Sequence, residues 1–115
     1  MRVQPFPIAT RIYFQGNSAR LVPSDISNKL AEVAEFLETH PDVRVRAIGY
    51  AHESENRTRY PNLPLERAQA VQTALENLGI ERRRVLPEGS EMPPEDVAPN
   101  QAAWLSQSVR FEILP

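Results

Sequence analysis

Between Gly49 and Ala68 the chain reads GYAHESENRTRYPNLPLERA, and His52, Glu53, Glu55 and Arg67 fall within sixteen residues. An imidazole next to carboxylates is raw material for general acid–base chemistry, with His52 as base and Glu53 as its orienting partner. Catalysis by that route needs further parts, such as a second histidine close by, a nucleophile on a sharp elbow, or a glycine-rich phosphate loop. None of these patterns occurs in the stretch. The residues therefore read as a non-enzymatic site that implies no cofactor and no metal. Taken alone, His52 is also an ordinary loop residue, mostly neutral at pH 7 and bonded to backbone or solvent.

The elements on either side must position these groups. Residues 43–50, VRVRAIGY, alternate with Val43, Val45 and Ala47 opposite Arg44, Arg46 and Ile48, which predicts a strand. Residues 65–78 place Ala68, Val71, Leu75 and Leu78 on one helical stripe, with Pro64 suited to the first turn and Gly79 to a left-handed stop. Upstream, Pro5 and Pro7 make residues 1–10 an extended arm. Residues 11–15 then form a strand with Ile12 and Phe14 inward, ended by the turn residues Gly16-Asn17-Ser18. A first helix over 24–39 carries Ile26, Leu30, Val33 and Leu37 on one face. Ser24 is its expected N-cap, Asp25 suits its positive end, and His40 is a partner for its C-terminal dipole.

Downstream, residues 82–86 read as a short strand, and Arg82 to Arg84 as either a solvated face or a phosphate patch. Residues 87–100 are acidic and proline-rich and predict an irregular surface loop. Residues 101–107 suggest a short helical turn in which Trp104 either caps the core or stacks on a ligand. Residues 109–114 close the chain as a strand, with Val109, Phe111 and Ile113 on one face. Two consecutive strand-helix units imply parallel pairings in a mixed sheet with helices on one face, the last strand joining in either direction.

Composition narrows the classes further. A chain of 115 residues suits one domain over 1–115, and a net charge of -2 with a pI near 5.7 argues against nucleic acid as a partner. Absence of cysteine removes disulfides, thiolate chemistry and Cys-ligated zinc. No apolar run is long enough to predict a transmembrane segment, and residues 1–10 lack the apolar stretch of a secretory signal. Either the protein stays inside the cell, or these residues are a domain excised from a longer chain.

Several separated stretches, in order over about residues 12 to 113, resemble the OmpA-like C-terminal domain, a peptidoglycan-associating family. IYFQGNSARLVPSD is similar to the family's opening, hydrophobic-F-x-x-N-S-A-x-L-x-P, and GYAH stands in the place of its GYTD. RAQAVQTAL with Gly79-Ile80 looks like the next helix and its stop, Val85 to Gly89 sits at the third strand, and VRFEI is similar to the closing RRVEI. The resemblance implies an α/β fold of order β-α-β-α-β-β, on the periplasmic side of a bacterial envelope and associated with the outer membrane.

It also implies a ligand. The family grips diaminopimelate of the peptidoglycan stem peptide, with the Asp of GYTD on the ammonium and the Arg of N-x-x-L-S-x-x-R-A on the carboxylate. Arg67 is in register for that role, with Leu63 and Ala68 matching. An arginine in a helix's first turn adds a bidentate donor to the positive dipole end. The Asp position is His52, which supplies no negative charge, so Glu53 or Glu55 is the replacement acid. Ala51, Tyr60 and Pro64 stand where the motif has Thr, Asn and Ser.

The candidate ligand-binding set is Arg67, His52, Glu53, Tyr60, Ala51, Asn62 and Arg110. Two functions are expected from it. One is a module that holds peptidoglycan through a remodelled pocket. The other is a degenerate domain that has lost the wall ligand and docks a protein partner.

Overall fold

The computed structural model describes residues 4–5, 11–14, 18–52, 55, 61–92, 94, 97 and 103–114. Five strands, β1 (Gln4–Pro5), β2 (Arg11–Tyr13), β3 (Val45–Gly49), β4 (Val85–Gly89) and β5 (Ser108–Ile113), form one mixed sheet. Strand β5 lies at its centre, antiparallel to β3 on one edge and to β1 and β2 on the other. Strand β4 is outermost and pairs parallel with β3, joining Val45 to Val85 and Gly49 to Gly89.

Period-two alternation decides which face each strand buries. Ile12, Val45, Ala47, Val85, Val109 and Phe111 turn to the core, whereas Arg46, Ile48, Arg110 and Glu112 lie on the other face. The first helical run comprises α1 (Pro23–Asp25), a π-helical stretch Ile26–Leu30 and α2 (Ala31–Thr39). It covers the core face with Leu30, Val33 and Leu37, and α3 (Leu63–Asn77) covers it with Ala68, Val71 and Leu75. Fully burying one such large aliphatic side chain contributes roughly 1.5–3 kcal/mol, so this two-layer core is the main source of stability.

The expected helix stripes and strand faces are present, with four differences. The first βαβ unit does not pair its own strands: β2 and β3 are parallel to each other, but β5 inserts between them. Ser24 lies inside α1 rather than capping it, because Pro23, with its preset φ, begins the helix two residues earlier than a Ser24 cap would, after Val22. Asp25 instead accepts the Tyr13 N–H at 3.1 Å, and Lys29 Nζ donates to the Arg11 carbonyl at 3.0 Å. Together they satisfy backbone groups of β2 that β5 leaves unpaired.

The third difference is the end of α3. Leu78 is 37% exposed, because the chain reverses at Gly79 (φ 99°) and Ile80, 3% exposed, takes the core position. The fourth is β4, which occupies Val85–Gly89 as the family resemblance implied and not 82–86 as the residue pattern suggested, so Pro87 lies in strand and not in the following loop. Proline is tolerated there because β4 is an edge strand. Residues 82–84 form a 3₁₀ turn instead of strand. Arg84 Nη2 donates to the Leu37, His40 and Val43 carbonyls, each at 2.8 Å, while Arg82 and Arg83 form exposed pairs with Glu76 and Glu81.

His40 Nδ1 lies 2.9 Å from the Phe36 carbonyl, at the C-terminal end of α2 as expected. The Trp104 side chain lies outside what is described.

Two glycines set how closely α3 approaches the sheet. Gly49 and Gly89 are register partners beneath its first turn. A Cβ at Gly49 would lie 1.8 Å from the Pro64 carbonyl oxygen, and one at Gly89 would lie 2.8 Å from the Leu65 nitrogen. Both obstacles are backbone atoms, so no side chain can move aside. Gly49→Ala is therefore expected to destabilise the fold by more than about 3 kcal/mol, beyond the usual range for core overpacking. Urea denaturation measures the loss, and a cost below about 1 kcal/mol would refute the close approach.

Candidate functional site

The glycine pair brings the first turn of α3 onto the ends of β3 and β4, so Arg67 projects beneath the segment that follows β3. Its side chain is 0% exposed. A buried guanidinium must have its donors met by acceptors, and here they are. Nε donates to the Ser18 carbonyl at 2.9 Å, and Nη1 donates to the Tyr50 carbonyl at 2.8 Å. Nη1 and Nη2 donate to the two carboxylate oxygens of Glu55 at 2.8 and 2.6 Å. The guanidinium also lies over the Phe14 ring, 5.6 Å from its centroid.

Glu55 is held as closely as its partner. It is 3% exposed, and its Oε1 also accepts the His52 N–H at 2.9 Å. Its own N–H donates to the His52 carbonyl at 2.9 Å. The result is a fork-on-fork pair with nearly parallel hydrogen bonds, the strongest geometry available to arginine and a carboxylate.

The candidate set from the sequence divides. Arg67, Ala51 and His52 come together at the end of β3, with Ala51 buried and His52 half-buried. Asn62 is exposed at the N-cap position of α3, makes no side-chain cap, and lines a cleft of about 200 Å³ with Pro61, Leu65 and Ser90. Arg110 lies on the opposite face of the sheet, in a shallow cleft of about 370 Å³ with Ile48, Glu88 and Met92. There its Nε donates to the Tyr50 hydroxyl at 2.7 Å, and its Nη2 lies 3.3 Å from Glu112. Glu53 and Tyr60 lie outside the described residues.

Tyr50 connects the two faces, with its carbonyl on Arg67 and its hydroxyl on Arg110. Burial raises its pKa above the ordinary 10.0, outweighing the lowering by Arg110. A raised folded-state pKa leaves stability intact below pH 10.0 and removes it as the pH climbs through the shifted value. An alkaline absorbance titration should therefore show a late-ionising tyrosine that is missing in Tyr50→Phe.

Sequence reasoning assigned Arg67 to a ligand carboxylate and offered Glu55 only as an acid for a ligand ammonium. The pairing between them was missed. No local pattern signals it, because the burial that makes Arg67 demand an acid is set by packing, and Glu66 and Glu76 lie nearer to it in the chain than Glu55 does. Among the described residues, no group of three or more His, Cys, Asp or Glu is gathered to hold a metal ion. No helix among them is long and apolar enough to cross a membrane.

Removing one member of a buried ion pair costs about 3–5 kcal/mol, because the other is left uncompensated. Glu55→Leu and Arg67→Met are each expected to lose about that much in urea denaturation, with the double variant more stable than either single. Additive losses in the double variant would refute the coupling.

Comparison with known proteins gives concordant results. The model of the OmpA family matches residues 13–104. The probable lipoprotein YiaD of Escherichia coli (strain K12) is 31% identical over 103 residues, or 89% of this chain. The chain spans 46% of that lipoprotein's length. The peptidoglycan-associated lipoprotein from Burkholderia pseudomallei superposes with a TM-score of 0.76 at 21% identity, covering 90% of this chain and 89% of that one. The OmpA-like domain of FopA1 from Francisella tularensis gives 0.73 at 19% identity, covering 90% and 69%. A periplasmic domain of MotB from Helicobacter pylori gives 0.69 at 15% identity, covering 89% and 74%. At these identities the structural matches establish the mixed-sheet fold.

Proposed function

The chain belongs to the OmpA family, and from that membership we propose that it is a non-enzymatic module of the cell envelope, on the periplasmic side, that associates non-covalently with peptidoglycan. The carrying observation is the placement of Arg67. Its guanidinium projects from the second turn of α3 toward the end of β3, and it already holds a carboxylate in bidentate fashion. A stem-peptide carboxylate has the same chemistry as the group now bound. Ala51 and His52 border the position, with Asn62 at the start of the same helix. Arg110, on the other face, would serve indirectly by holding Tyr50.

A second reading is favoured by the same pair. With Arg67 buried and engaged by the chain's own Glu55, the module would be closed to the wall and would act structurally or through a protein partner. The two readings separate in one experiment. Under the first, the domain co-sediments with isolated diaminopimelate-type sacculi, and a diaminopimelate-containing muropeptide shifts the amide resonances of Ala51, His52, Glu55 and Arg67. Absence of both effects would discard the first reading and leave the second.

A further inference from the structure

We infer that Glu55 is the specificity-determining residue of this site, an internal competitor that any ligand carboxylate must displace from Arg67. The inference rests on the carboxylate-holding reading of Arg67 given above. Four donor directions of the guanidinium are spent: one on the Ser18 carbonyl, one on the Tyr50 carbonyl and two on Glu55. Of these acceptors, the Tyr50 carbonyl directly follows β3, and the Ser18 carbonyl is backbone. The Glu55 carboxylate alone belongs to a side chain, which single-bond rotations can withdraw. Its bidentate edge is also the one that a carboxylate ligand needs. A tethered acid next to its partner acts at high effective concentration, so external carboxylates compete against it at a disadvantage.

The exchange also selects a ligand class. A plain carboxylate that replaces Glu55 separates the Glu55 carboxylate from Arg67, an expensive loss at a largely buried position. A zwitterion carrying an ammonium beside its carboxylate restores both pairings: its carboxylate on Arg67 and its ammonium on the freed Glu55. Position 52, occupied by histidine, then need not supply the negative charge, because Glu55 does so after it moves. The site would thus favour amino-acid-like zwitterions over simple acids, and Glu55 would be the source of the preference.

The test uses the whole chain, with acetate and free diaminopimelate as probes, in wild type, Glu55→Gln and Glu55→Ala, monitored by amide chemical shifts at Tyr50, His52 and Arg67. Wild type should bind diaminopimelate in preference to acetate. Glu55→Gln should bind acetate at least about tenfold more tightly than wild type does, the factor that one charge-assisted hydrogen bond supplies, and should lose most of the preference. Glu55→Ala should be destabilised, and acetate should raise its thermal midpoint but not that of wild type.

Equal acetate affinity in wild type and Glu55→Gln, including no binding by either, would overturn the inference. So would the absence of any acetate effect on Glu55→Ala. Failure here is distinguishable from failure of the wall-binding reading. Acetate capture by the Glu55 variants without sedimentation of wild type on sacculi would remove the wall ligand and keep the competition. Sedimentation of wild type with unchanged acetate binding in the variants would do the reverse.

Discussion

A guanidinium removed from water must be surrounded by acceptors, and the end of the molecule that carries the site satisfies that requirement at Arg67. The Ser18 carbonyl comes from the segment before the first helical run, the Tyr50 carbonyl from the end of β3, and the Glu55 carboxylate from the segment beyond it. One side chain of α3 therefore ties Ser18 to Tyr50 and Glu55, two regions that lie more than thirty residues apart in sequence. Each bond is short and partly or wholly charge-assisted, and each is made where solvent does not compete. Loss of any one acceptor would leave a buried charge undercompensated, so the constraint acts on the whole corner.

That corner depends in turn on the sheet. Arg67 reaches its acceptors because α3 lies close to β3 and β4, and it lies close because Gly49 and Gly89 present no side chain beneath its first turn. Parallel pairing of β3 with β4 sets the two glycines side by side. The opposite face of the sheet is a half-exposed lattice in which Arg46 lies near Glu88 and Glu112, and Arg110 near Glu112 and Tyr50. Such partly solvated pairs contribute at most about 1 kcal/mol each, so they orient Tyr50 more than they hold the sheet.

The arrangement bears on how a module of this family can change without losing its fold. His52 carries no carboxylate, and the acid beside it in the structure is Glu55, which accepts the His52 N–H. The same carboxylate neutralises Arg67. The pair is formed by side chains alone, whereas the packing of α3 on the sheet is set by the backbone contacts at Gly49 and Gly89.

Much of this was legible in the chain. The stripes Leu30-Val33-Leu37 and Ala68-Val71-Leu75, the alternation in β3 and β5, Pro64 at the start of α3 and Gly79 at its stop are local patterns, set by helix and strand periodicity and by backbone preference. The importance of Arg67 was suggested by the resemblance to the family's motif and not by periodicity. Insertion of β5 between β2 and β3 was not legible, because strand order depends on pairing between residues far apart in sequence. The third strand was legible from the resemblance, at Val85 to Gly89, but not from the residue pattern, because Arg84 reaches back to the carbonyls at the end of α2 and residues 82–84 form a turn. Sequence determined that a helix carrying Arg67 near its start would follow the strand that ends at Gly49. Only the tertiary structure decided that Arg67 is fully buried and that the carboxylate it holds is Glu55, because the burial of a charge and the choice of its partner are set by the elements packed around it.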